Sequence, residues 1–168
     1  TNGEEHLAIS LGNLDNDPLL RIHSQCLTGD ALFSLRCDCG SQLEMALKKI
    51  ASEEAGLIIY MAQEGRGIGL GNKIKAYELQ DEGMNTVEAN ESLGFEADER
   101  NYSICGEILS SMNIASVRLM TNNPSKIEGL IDSGINVVDR VSIEVDASEH
   151  NKDYLDVKAD RMGHLFKK

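Results

Sequence analysis

Tryptophan is absent from this 168-residue chain, and with three Phe and four Tyr the aromatic share is only 4 %. That scarcity argues against an aromatic platform for stacking single-stranded nucleic acid. Basic residues are also few: 16 Lys and Arg stand against 28 Asp and Glu, a formal net charge of −12. Non-specific nucleic-acid binding needs cations that neutralise phosphates, so this balance opposes it. An anionic ligand would have to be held by specific Arg and Lys contacts, because the global field repels it. No apolar run approaches the ~20 residues of a membrane-spanning helix. The densest is Gly56-Leu57-Ile58-Ile59-Tyr60-Met61. The opening Thr1-Asn2-Gly3-Glu4-Glu5 carries neither the basic nor the apolar region of a secretory signal, so the expected location is the cytoplasm. Linkers, internal repeats and low-complexity stretches are lacking as well.

What is present is a soluble globular balance of 41 % apolar and 26 % charged residues. The length suits one domain over 1–168, able to bury a core without disulfides. Short β-like runs alternate with helical patterns, which predicts an α/β or α+β fold. Strands are expected over 5–12, 20–24, 57–61, 117–121 and 135–138, with a turn at 14–18. Ser41 and Glu44 have capping-box spacing. Behind them Leu43, Ala46, Leu47, Ile50 and Ala51 trace one face of a helix that Gly56 closes. Leu70, Ile74 and Tyr77 form the stripe of a second helix, ending near Gly83. Cys105, Ile108, Leu109 and Met112 mark a third. Asn123-Pro124 opens a fourth, with Asn as cap and Pro in the first turn. The tail over 151–168 is polar and weakly helical.

The four cysteines are Cys26, Cys37, Cys39 and Cys105. Cys37 and Cys39 are one residue apart, a spacing that favours metal ligation in a reducing compartment over disulfides. Cys26, Cys37 and Cys39 make a thiolate trio suited to zinc, a borderline-soft cation with a tetrahedral N/S habit. Three protein ligands leave one position open, as catalytic zinc requires. The competing arrangement is a closed structural site with Cys105 or a His as fourth ligand. Cys105, however, falls on the apolar stripe of its helix, where a cysteine behaves as a core residue.

Two strand-to-helix junctions are candidate anion sites. Gln63-Glu64-Gly65-Arg66-Gly67-Ile68-Gly69 combines glycines, which let a backbone approach a ligand, with the planar donor fork of Arg66. It matches neither a Walker A nor a dinucleotide fingerprint, and a tight turn would use the same glycines. At Thr121-Asn122-Asn123-Pro124-Ser125-Lys126, Thr121 and Lys126 suit phosphate binding, and equally suit capping and solvent. Arg21 and Arg100 are ambiguous when taken alone.

Read in order, these segments resemble the GTP cyclohydrolase II family. The resemblance lies in Arg21-Ile22-His23-Ser24-Gln25-Cys26-Leu27-Thr28-Gly29-Asp30, Ser34-Leu35-Arg36-Cys37-Asp38-Cys39-Gly40 and Gln63 to Leu70. It continues through Asn72-Lys73-Ile74-Lys75-Ala76-Tyr77, Thr86-Val87-Glu88-Ala89-Asn90, Leu93-Gly94-Phe95, Ala97-Asp98-Glu99-Arg100 and Thr121-Asn122-Asn123-Pro124. It implies a mixed sheet flanked by helices in one compact domain. It further implies a homodimeric zinc enzyme that opens the guanine ring of GTP, with release of formate and pyrophosphate, in riboflavin synthesis. Cys26, Cys37 and Cys39 would hold one zinc per subunit, and magnesium would accompany the triphosphate. Arg21, Ile22, His23, Ser24, Gln25 and Gln42 would contact GTP, as would Glu64, Gly65, Arg66, Thr86, Thr121 and Lys126. The Glu64 carboxylate suits the two N–H donors of the guanine edge. Asp98 matches a proton acceptor, Arg100 a residue proposed as nucleophile at the α-phosphate, and Tyr77 a tyrosine near the reacting base. A guanidinium is protonated at neutral pH, so electrostatic stabilisation by Arg100 is the alternative to nucleophilic attack. Three departures stand out. Gln25 replaces a usual Glu. Gly71 replaces a common Leu, at ~1 kcal/mol of helix propensity. An N-terminal strand region usual in the family is expected to precede Thr1. Two alternatives stay open: a GTP-binding homologue that stops at the formamide, and a zinc-stabilised binding module.

Overall fold

The apolar run at 57–61 becomes a strand next to the middle of a five-stranded sheet in the computed structural model, which describes residues 3–145. The strands are β1 (Leu7–Leu11), β2 (Leu19–Ser24), β3 (Gly56–Met61), β4 (Ser116–Met120) and β5 (Asn136–Val141). They lie in the order β1-β3-β2-β4-β5. β1 runs antiparallel to β3, and the other pairings are parallel. The helices are α1 (Leu27–Asp30), α2 (Cys39–Glu53), α3 (Gly69–Asp81), α4 (Thr86–Ser92), α5 (Ser103–Ser111) and α6 (Pro124–Asp132), with a 3-10 turn at Glu64–Gly67. The chain thus has the mixed α/β fold that the sequence predicts. The expected tail over 151–168 lies outside the described residues.

Two apolar layers follow from strand alternation. Leu20, Ile22, Leu57, Ile59, Met61 and Leu119 pack with Cys105, Leu109 and Leu130 from α5 and α6. Leu19, Ile58 and Met120 pack with Ala46 and Ile50 from α2, together with Ile143. Burial on both faces is what makes β3 a near-continuous apolar run. Period-2 alternation then puts Arg21 and His23 on the same side of β2 as Leu19, toward α2. The parallel strands β2 and β3 end level, at Ser24 and Met61, and β4 ends at Met120, beside Arg21. Loops at that edge are where parallel α/β sheets place ligands.

Three local expectations are corrected. The capping box at Ser41 and Glu44 does not form: α2 starts three residues earlier, with Asp38 at the N-cap and no side-chain cap bond. The early start follows from Cys39, which belongs to the first helical turn and faces the other cysteines. A capping box forms instead on α4, where Asn85 accepts from Val87 and Glu88 N–H and the Glu88 carboxylate accepts from Asn85 N–H. Closure of α2 falls to Glu54, which is left-handed at φ 56°, and Gly56 already begins β3. On α3, Leu70 and Ile74 are exposed and only Tyr77 of the stripe is half-buried, while Lys73 and Ala76 are buried, so a lysine faces in. The Asn123 cap and Pro124 first turn of α6 form as expected, with Asn123 Oδ1 accepting from Ser125 N–H.

Candidate metal centre and nucleotide cleft

Cys26 follows the end of β2, Cys37 ends the loop after α1, and Cys39 opens α2. Their sulfurs lie within 4.8 Å of one another, with Cys26 Sγ and Cys37 Sγ 3.7 Å apart. Asp30 holds this turn in place. Its Oδ2 accepts from Cys26 N–H at 2.9 Å and from the Tyr60 hydroxyl at 2.8 Å, and its Oδ1 meets His23 Nε2 at 3.0 Å. His23 and Tyr60, paired across β2 and β3, stack at 5.5 Å between ring centroids. Gly29 sits against the sulfurs: a Cβ there would stand 2.9 Å from Cys37 Sγ and 3.2 Å from Cys26 Sγ. A Cβ on Gly40 would come within 2.3 Å of the Gly29 carbonyl oxygen, so the start of α2 packs on that turn backbone to backbone.

The electrostatics of the trio fit a cation. Hydrogen bonds from Cys37 and Cys39, aided by Lys73, hold the Cys26 thiol far below its ordinary range. Cys37 is pushed up to about 11, first because it donates to Cys26, and Cys39 is raised for the same reason together with burial. Without an ion the three sulfurs thus compete for negative charge, which Cys26 takes most readily. A soft divalent ion among them is what lets all three ionise. No further His, Cys, Asp or Glu atom joins the group among the described residues. Cys105 lies in the core, its thiol 3.4 Å from Met61 Sδ.

The trio opens onto a cleft, which some of the expected residues line and others do not. Ser24, Gln25, Glu64, Gly65, Arg66 and Thr86 line the cleft, as do Tyr77 and Arg100. Gly65 and Arg66 are both left-handed, at φ 62° and 60°, which turns the loop sharply after β3. Glu99 N–H donates to the Arg66 carbonyl at 3.0 Å and ties that loop to the segment carrying Asp98 and Arg100. Arg100 Nε donates to Asp98 Oδ1 at 2.7 Å, and Arg100 Nη2 donates to Asp98 Oδ2. Tyr77 is partly covered by the Arg36 guanidinium, 4.6 Å above its ring. Burial raises its hydroxyl pKa, so it stays protonated at neutral pH.

The remaining expected residues do not line the cleft: Arg21, Ile22, His23, Thr121 and Lys126 are buried, and Gln42 is half-buried. Arg21 donates from Nη1 to the Met120 carbonyl at 3.0 Å and from Nη2 to Gln42 Oε1 at 2.6 Å. Gln42 Nε2 continues the chain to Asp38 Oδ2. Lys126 Nζ donates to the carbonyl of Ile22 at 2.8 Å, and Asn123 N–H donates to Thr121 Oγ1 at 3.0 Å. Ile22 itself belongs to the core. Sequence reasoning singled out neither Lys73 nor Asn90, although both line the cleft and are buried. A lysine on a helix reads as a solvent residue. Three residues after Leu70 and four before Tyr77, Lys73 lies beside the apolar stripe, where a lysine stem packs commonly and draws no notice.

The sequence model of the GTP cyclohydrolase II family matches residues 1–142. GTP cyclohydrolase-2 of Buchnera aphidicola subsp. Schizaphis graminum is 58 % identical over 98 % of this chain and 85 % of its own length. That of Pseudomonas syringae pv. tomato is 58 % identical over 98 % of this chain and 81 % of its own. The Pasteurella multocida protein of the same name is 56 % identical over 97 % and 76 %. With its mixed sheet, its cysteine trio and a match over nearly the full described length, the chain belongs to the GTP cyclohydrolase II family.

Proposed function

We propose that this enzyme hydrolyses GTP, opening the imidazole ring of guanine and releasing formate and pyrophosphate. The remaining product is 2,5-diamino-6-(5-phosphoribosylamino)pyrimidin-4(3H)-one, the first committed intermediate of riboflavin synthesis. One observation carries the reading: the cysteine trio, Tyr77, Arg100 and the loop of Glu64 to Arg66 line one cleft. Cys26, Cys37 and Cys39 would hold zinc, which supplies Lewis acidity and lowers the pKa of a bound water to ~7 in well-studied sites. Tyr77, protonated at neutral pH, hydrogen-bonds charge that develops on the opening ring. Asp98 moves protons at the leaving nitrogen and holds Arg100. Arg100 stabilises the phosphoryl transition state beside the α-phosphate.

Ser24, Gln25, Gly65, Arg66 and Thr86 contact the nucleotide from the wall. Arg21, Ile22, His23, Gln42, Thr121 and Lys126 support the site or reach the nucleotide, and Arg21 Nε has no hydrogen-bond partner among the described residues. Glu64 reads the guanine edge, but most of its carboxylate is already engaged. Its Oε1 accepts from Lys73 Nζ and Gly65 N–H, and its Oε2 from Leu27 N–H. A two-pronged contact with guanine therefore requires one of these bonds to open. Magnesium on the triphosphate offsets the charge of the leaving pyrophosphate. The homodimer and the cytoplasmic location belong to the same proposal. Among the described residues no helix is long and apolar enough to cross a membrane.

Incubation of the zinc-loaded protein with GTP, with formate and pyrophosphate both quantified, tests the reading. Equal amounts are expected. Pyrophosphate without formate would establish instead a homologue that stops at the formamide, and neither product would leave only a binding module.

A further inference from the structure

We propose that Lys73 is a positioning residue of the metal centre, its ammonium donating to the Cys26 sulfur and tuning how much charge that sulfur gives the metal. The inference rests on reading the trio as a metal site. Lys73 comes from the inward face of α3 and is 8 % exposed. Its Nζ lies 3.1 Å from Cys26 Sγ, 2.8 Å from Thr28 Oγ1 and 2.8 Å from Glu64 Oε1. These partners match the three donors of an ammonium. An ammonium is costly to bury unless it is paired, and here its partners are a metal-ligand sulfur and a carboxylate of the cleft loop.

A structural lysine would need only Glu64 and Thr28. The bond to Cys26 adds something specific. Zinc with three thiolates carries net negative charge, which blunts its acidity. A thiolate that accepts a charge-assisted hydrogen bond donates less density to its metal. Lys73 also links Cys26 to Glu64, so a ligand that draws on the Glu64 carboxylate changes the partners of the ammonium on that sulfur. The same side chain therefore couples the nucleotide loop to the metal.

Cobalt(II) in place of zinc gives a readout independent of turnover, because thiolate-to-cobalt charge transfer absorbs in the near ultraviolet at an energy set by the sulfur lone pairs. Hydrogen bonding lowers those lone pairs in energy. Lys73→Met should move the band to longer wavelength, and Lys73→Arg, which keeps a cationic donor, should leave it close to the wild-type position. A band that stays in place in cobalt-loaded Lys73→Met, or that moves equally far in Lys73→Arg, overturns the proposal while the metal site stands. A wild-type protein that takes up cobalt without thiolate absorption sinks the metal reading and this inference with it. Far-ultraviolet circular dichroism checks the fold of each variant. If Lys73→Met does not fold, Lys73→Gln removes the charge but keeps a polar end for the Glu64 and Thr28 partners, and carries the same expected direction.

Discussion

Arg100 reaches the cleft on a short tether, because Asp98, two residues earlier, grips its guanidinium through both carboxylate oxygens. Burial alone pushes the Asp98 carboxyl up, but the hydrogen bonds and charge of Arg100 outweigh it and hold the group below its ordinary value. A carboxyl depressed in the folded state adds stability above its unfolded value of ~3.9, and that stability is lost as pH falls through the folded value. Asp98→Asn should therefore flatten the acid limb of the stability profile below about pH 4, as read by urea unfolding at stepped pH. The same depression makes Asp98 a weak base while Arg100 holds it, so proton acceptance is expected only once Arg100 turns to phosphate. Arg100→Lys keeps the charge and loses the fork. If the role is electrostatic, pyrophosphate release should fall by ~10²–10³ yet remain measurable; a covalent guanylyl adduct trapped on Arg100 would refute that role. At this scale the sequence was legible where a residue type is rare in its setting. A C-x-C pair with a third cysteine upstream has few uses, whereas Lys73 and Asp30 are ordinary residue types whose importance lies entirely in what surrounds them.

Among the elements, α4 carries Thr86 and Asn90 into the cleft and has only seven residues. So short a helix is marginal on its own and relies on its cap. Asn85→Ala removes the acceptor for Val87 and Glu88 N–H and should cost ~1 kcal/mol in urea unfolding. Because Thr86 is the first helical residue, the same change should raise KM for GTP more than it lowers kcat; an unchanged KM would detach Thr86 from the nucleotide. Strands were readable because burial on both faces leaves long apolar runs, as at 57–61, and because alternation at 7–11 survives at the sheet edge. Helix faces were less readable. The α2 start shifted because Cys39 of the sulfur trio, not a residue following a capping serine, opens the first turn. On α3 the inward face is the side of the cleft, so polarity there serves the site, and the apolar Leu70 and Ile74 lie exposed. Amphipathic patterning assumes that the interior is apolar, and it inverts where the interior is a polar pocket.

For the molecule as a whole, the net charge of −12 coexists with Arg21, Lys73 and Lys126 buried at one edge of the sheet. Positive charge is thus placed where the parallel strands end, and acidic residues dominate elsewhere. The cysteine trio is peripheral to the two apolar layers: its residues span only 26–39, while the sheet core is built from β2, β3 and β4 with α2, α5 and α6. An ion that binds the native state alone stabilises it by RT ln(1 + [L]/Kd), about 4 kcal/mol when its concentration is ~1,000 times Kd. For a domain of this size that corresponds to roughly 8–16 °C in Tm. Chelation should therefore lower Tm by an amount of that order without unfolding the protein at room temperature. Cys37→Ser should start at the lower Tm and respond little to chelator. Because the ligands are close in sequence, the loss should be local: amide exchange should quicken over 26–42 while β3 and β4 keep their protection. Equal loss of protection across the sheet would mean that the ion organises the whole core, and the division drawn here between a self-sufficient sheet and a metal-dependent loop would then be wrong.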